Sequence, residues 1–97
     1  MLHLINKSPF TATSLDSCLR YAKKGSPILL FEDAVYGAMA GTALEGKITD
    51  IMKDYSLYAL KEDCMARGVS SLIPGVKEVD YTGFVELVEQ YKTCTWS

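Results

Sequence analysis

The sequence predicts an α/β fold: a three-layer α/β/α sandwich on a mainly parallel sheet of about five strands. Three observations carry this. The run Pro27-Ile28-Leu29-Leu30-Phe31 is apolar throughout and is followed by the acids Glu32 and Asp33, as in a short strand buried on both faces. Shorter apolar runs recur at residues 2–5, 57–60 and 76–79. Helix-patterned segments separate them, which is the alternation of βαβ units.

Taken in order, Leu2-His3-Leu4-Ile5 is the first strand, and residues 6–13 form a loop rich in the turn formers Asn6, Ser8 and Pro9. Ser14 is placed to cap a helix in which Leu15, Cys18, Leu19 and Ala22 fall at i, i+3, i+4 and i+7, with Gly25 as its stop. After the central strand, Asp33 is placed to cap an Ala-rich helix over residues 34–40 that ends at Gly41. Ile48, Ile51 and Met52 have helical spacing within residues 42–54, and a second short helix is expected there. Ser56-Leu57-Tyr58-Ala59-Leu60 is the third strand, and residues 61–68 form a short helix stopped by Gly68. The fourth strand covers residues 76–79. Asp80 or Thr82 then caps a last helix whose apolar face is Phe84, Val85, Leu87, Val88 and Tyr91. Thr93-Cys94-Thr95-Trp96 reads as a fifth strand.

At 97 residues the chain is expected to be one domain, residues 1–97. A hydrophobic content of 48% is generous for so short a chain, so part of its apolar surface is expected to meet a partner. The net charge of -2, with no basic cluster beyond Lys23-Lys24, argues against direct nucleic-acid binding. No apolar run reaches the length of a membrane span, and the amino terminus lacks the pattern of a signal peptide. The expected location is the cytoplasm. Three widely spaced cysteines and a single histidine suggest neither a disulfide framework nor a metal site, and no cofactor is expected.

In doubly wound sheets the ligands lie beyond the carboxyl ends of the strands. The candidate site is therefore built from residues 6–18, 32–36 and 61–67. Cys18 and Cys64 both fall there, each near a helix amino terminus that favours thiolate over thiol. Arg67 lies one turn after Cys64, whereas Glu32 and Asp33 on the same edge work against Cys18. On these grounds Cys64 is at least as good a nucleophile as Cys18. The plainer reading of all three thiols is packing, since free cysteine behaves as a small hydrophobe, and Cys18 shares a stripe with Leu15, Leu19 and Ala22. His3, inside a strand, reads as a core or interface histidine with no nucleophile paired to it. The first strand is followed by neither a GxGxxG nor a GxxxxGK[ST] loop, so nucleotide binding has no support.

One resemblance spans nearly the whole chain. It is carried by Leu2-His3-Leu4-Ile5-Asn6-Lys7-Ser8-Pro9-Phe10, by Leu29-Leu30-Phe31-Glu32-Asp33 with Tyr36 and Ala38, by Tyr58-Ala59-Leu60-Lys61-Glu62-Asp63 leading to Ala66-Arg67-Gly68, and by Val79-Asp80-Tyr81-Thr82-Gly83-Phe84-Val85 with a terminal Trp96. In this order and spacing the chain resembles the DsrH/TusB family. The resemblance implies a subunit of a cytoplasmic sulfur relay, DsrEFH or TusBCD, built as a heterohexamer with DsrE/TusD-like and DsrF/TusC-like subunits. Sulfur would travel as cysteine persulfide to a downstream carrier, for sulfur oxidation or for 2-thiolation of the tRNA wobble uridine. It also implies Cys18 as the candidate sulfur acceptor, because DsrH-type members carry a cysteine in the first helix. Cys64 stands where the family usually has an apolar residue. The rival expectation is a non-catalytic subunit that completes the hexamer.

Overall fold

The computed structural model describes residues 1–97. Its elements run β1 (Leu2–Ile5), α1 (Ser14–Tyr21), β2 (Pro27–Leu30), a 3-10 helix (Glu32–Ala38), α2 (Glu45–Ile51), β3 (Ser56–Leu60), α3 (Lys61–Ala66), β4 (Lys77–Val79), α4 (Tyr81–Gln90) and β5 (Thr93–Trp96). All pairings are parallel, in the order β4-β3-β2-β1-β5. The apolar run at Pro27 is thus the middle strand, and Ile28, Leu29 and Leu30 are fully buried.

The order explains the layers. From β1 to β4 every crossover steps the same way across the sheet, and right-handed crossovers then put the intervening helices on one face. Ile5, Ile28, Leu30, Leu57 and Ala59 point to that face and pack with Leu15 and Cys18 of α1, Ala34 and Val35 of the 3-10 helix, Ile48 of α2 and Cys64 of α3. Only the link from β4 to β5 runs back, so only α4 lies on the other face. There Leu2, Leu4 and Leu29 form a core of three buried residues against Phe84 and Leu87.

Four local expectations are corrected. The helix after β2 is 3-10, not α, and begins at Glu32, with no side-chain cap from Asp33. It packs closely on the loop after β1: a Cβ at Gly37 would stand 2.7 Å from Pro9 Cγ. Ser14 is the first residue of α1 rather than its cap; Thr13 holds that place without a side-chain hydrogen bond. That helix also stops at Tyr21, before Gly25, whose φ of +89° serves the turn into β2 instead. By contrast, Asp80 does cap α4, accepting a hydrogen bond from the Gly83 amide at 2.8 Å.

Two substitutions test these contacts by thermal or denaturant unfolding. Gly37→Ala forces Pro9 and the 3-10 helix apart and is expected to cost about 1–3 kcal/mol. Asp80→Ala removes the cap and is expected to cost about 1 kcal/mol.

Candidate functional site

The carboxyl ends of the strands do gather charged side chains. Arg67, at the end of α3, donates from Nε to Asp33 Oδ1 at 2.9 Å and from a terminal nitrogen to Asp63 Oδ1 at 3.4 Å. Asp63 Oδ2 in turn accepts from the Glu32 backbone N–H at 2.6 Å. Glu32 has φ +49°, a left-handed conformation that costs a non-glycine residue of order 1 kcal/mol, and this hydrogen bond holds it. The hydrogen bond to Asp33 also keeps the Arg67 guanidinium more firmly protonated than usual. The network closes the sheet edge by pairing opposite charges and leaves no free base beside a nucleophile.

Neither thiol is activated by this edge. Cys18 is fully buried in the second turn of α1, and burial, followed by the nearby Cys94, pushes its pKa up to about 11. Glu32 and Asp33 are not among the causes. Cys64 is 1% exposed and is likewise raised to about 11, by burial first, then by Glu78 and Asp63; Arg67 acts in the opposite sense and is outweighed. The helix-terminus argument fails at both positions for one reason. A buried thiolate forfeits its hydration, and a partial charge at a helix end does not replace it.

The other edge of the sheet brings together residues that sequence reasoning left apart. His3 on β1 pairs in register with Cys94 on β5, and Ile5 with Trp96. Strand alternation puts His3, Cys94 and Trp96 on the same face, the one that α1 covers. Trp96 Nε1–H donates to His3 Nδ1 at 3.1 Å, and the Trp96 ring meets Tyr21 edge-on, with centroids 5.9 Å apart. His3 is 2% exposed, and its pKa is lowered, chiefly by burial, so its imidazole is neutral at physiological pH. With Nδ1 accepting, the proton sits on Nε2. Of the three thiols, Cys94 alone is partly exposed. The only sequence signal for this group was the apolar alternation of residues 93–96.

The fold and its sheltered thiols define the class: a small three-layer α/β protein on an all-parallel sheet. Two solved structures share that fold at low identity. They are a protein of unknown function, MTH1491, from Methanobacterium thermoautotrophicum (TM-score 0.72, 14% identity, 97% of this chain and 95% of that one) and the ychN protein of E. coli (TM-score 0.75, 15% identity, 98% and 97%). Within that class the chain belongs to the DsrH/TusB family: residues 7–94 match the family model described as DsrH like protein. It is 39% identical over 94 residues to Protein TusB of Salmonella enteritidis PT4 (strain P125109), covering 94% of each chain. To Protein TusB of Pectobacterium parmentieri it is 35% identical over 98 residues, covering 99% of this chain and all of that one.

Two measurements check the thiol environments. In the native chain at pH 8, Cys18 and Cys64 are expected to alkylate at least ~100-fold more slowly than after unfolding, because both burial and the raised pKa deplete reactive thiolate. Mass mapping of a timed alkylation reads this directly. Stability is expected to fall as pH rises from 9 towards 11. In that window the unfolded thiols, with ordinary values near 9.0, lose protons that the folded thiols retain. Cys18→Ala or Cys64→Ala should flatten that slope, although each lowers stability at neutral pH.

Proposed function

We propose that this chain is a subunit of a cytoplasmic sulfur-relay complex of DsrEFH/TusBCD type, entering a heterohexamer with DsrE/TusD-like and DsrF/TusC-like subunits as one 97-residue domain. The observation that carries the proposal, beside family membership, is the thin cover of the second sheet face. No residue of α4 is buried. Its inner side, Phe84 and Leu87, rests on the sheet, while Tyr81, Val85 and Val88 form an outward stripe at i, i+4 and i+7, continued by Tyr91. These four residues are 38–59% exposed. A stripe of this kind, on a chain with so much apolar content, is a docking surface for a partner subunit. No helix is long and apolar enough to cross a membrane.

A second reading gives the subunit a chemical part, with Cys18 accepting sulfane sulfur and passing it towards a downstream carrier. What favours it is the second thiol, Cys94, close enough to Cys18 to influence its ionisation. Exchange needs thiolate and access. In the closed chain Cys18 has neither, so transfer through it requires α1 to be displaced or a neighbouring thiol to mediate. The first-helix cysteine is a DsrH-type feature and points to sulfur oxidation; the kinship with TusB proteins points to tRNA thiolation.

The docking proposal is tested by Val85→Asp and Val88→Asp. Both side chains are already substantially exposed, so the isolated chain should stay folded, within about 0.5 kcal/mol of its original stability. Co-purification with the partner subunits should fall at least ~10-fold, because an unpaired charge is expelled from a closed apolar contact. Assembly at unchanged strength would show that α4 is not the docking helix.

A further inference from the structure

The carboxylates around α4 divide into two groups. At its start, Asp80 accepts from the Gly83 amide, and Glu62, reaching across from α3, accepts from the Tyr81 backbone N–H at 3.3 Å. Acids suit that end, where unpaired N–H groups leave partial positive charge. Glu86 and Glu89 have no such local reason. They lie in the second half of α4, Glu89 in its last turn, where the helix dipole disfavours negative charge and no basic residue offsets it. Spaced i and i+3, they also repel each other. Both are exposed and neither enters an ion pair: those of the chain are made by Lys24, Lys47, Lys53 and Arg67, and none reaches α4. Glu89 stands one turn after Val85 and next to Val88, so the two acids line one margin of the apolar stripe. From Tyr81 to Gln90 there is no lysine, arginine or histidine.

Resting on the docking role given to α4 above, we propose that the surface that covers it is an apolar face of a partner subunit rimmed with lysine or arginine, whose cations pair with Glu86 and Glu89. A local rule broken at exposed positions is then answered from outside the chain. In the free chain the two carboxylates weaken α4; in the assembly they steer a basic partner into place and reject an acidic one. The same charges disfavour a second copy of this chain as the occupant. Two copies of α4 packed antiparallel about a two-fold axis, with their stripes in register, bring the acidic margin of one against that of the other. Lys92, the first cation beyond the helix, then faces the start of the other copy's helix and leaves Glu86 and Glu89 unanswered.

The test is the affinity of the chain for its partner subunits across a range of salt concentrations. The native chain is compared with Glu86→Lys plus Glu89→Lys and with Glu86→Gln plus Glu89→Gln. Thermal unfolding of each free chain checks the fold, and the Lys pair, which suits the end of a helix, is expected to leave it intact. Native assembly should weaken as salt rises. At low salt the Lys pair should bind at least ~10-fold more weakly, while the Gln pair should lose most of the salt dependence. If the Lys pair does unfold the chain, the salt dependence of the Gln pair decides alone. If both pairs assemble as the native chain does and Val85→Asp does not, the docking reading stands and the basic partner is overturned. If Val85→Asp also assembles normally, the docking reading falls and takes the proposal with it. Sedimentation of the chain alone tests the second copy: a monomer is expected at micromolar concentration, and a dimer dispersed by Val85→Asp overturns the proposal.

Discussion

An all-parallel sheet has to be kept dry on both faces, and this chain covers them unequally, one with several helices and the other with α4 alone. Three crossovers stepping the same way place α1, the 3-10 helix, α2 and α3 over one face, where fifteen buried residues form the main core. The single return crossover leaves α4 alone on the other, over a core of three. The imbalance follows from the strand order β4-β3-β2-β1-β5 and would persist under any side-chain repacking. The proposed partner subunit would add a second layer there, against the outward apolar stripe of α4.

The same core decides the chemistry of the thiols. On the well-covered face, Cys18 and Cys64 are buried, and loss of hydration favours their protonated form. Nucleophilicity at sulfur needs the opposite, a solvated or charge-paired thiolate. Cys94, on the edge strand β5, is the one thiol partly open to solvent. The charged network of Arg67, Asp33 and Asp63 has a different task. It closes the opposite end of the sheet and holds Glu32 in its left-handed turn.

What was legible in the sequence was what depends on local pattern. The run at Pro27 announces a strand buried on both faces and is the middle strand, and the alternating pattern at residues 93–96 is β5. Asp80 caps α4, as the spacing of its apolar residues requires. What was not legible depends on partners far away in the chain. Asp33 looks like a helix cap until Arg67, 34 residues on, claims its carboxylate. Gly37 after β2 packs against Pro9, a contact between separate segments that no helical periodicity records. Cys64 looked activated because Arg67 is near in sequence, yet burial and Glu78 on the neighbouring strand prevail. The His3–Trp96 hydrogen bond joins residues 93 apart, and only the register of β1 with β5 reveals it.

The central claim is that the thin face under α4 is where this subunit is completed by another. Amide hydrogen exchange across α4, in the free chain and in the assembled complex, tests it most directly. With so little burial to hold α4, its amides should exchange through low-energy local opening in the free chain and slow by at least ~10-fold on assembly, while those of β2 stay protected throughout. If α4 exchanges at the same rate in both states and protection appears over α1 or α3 instead, the partner sits on the well-covered face and the account is wrong.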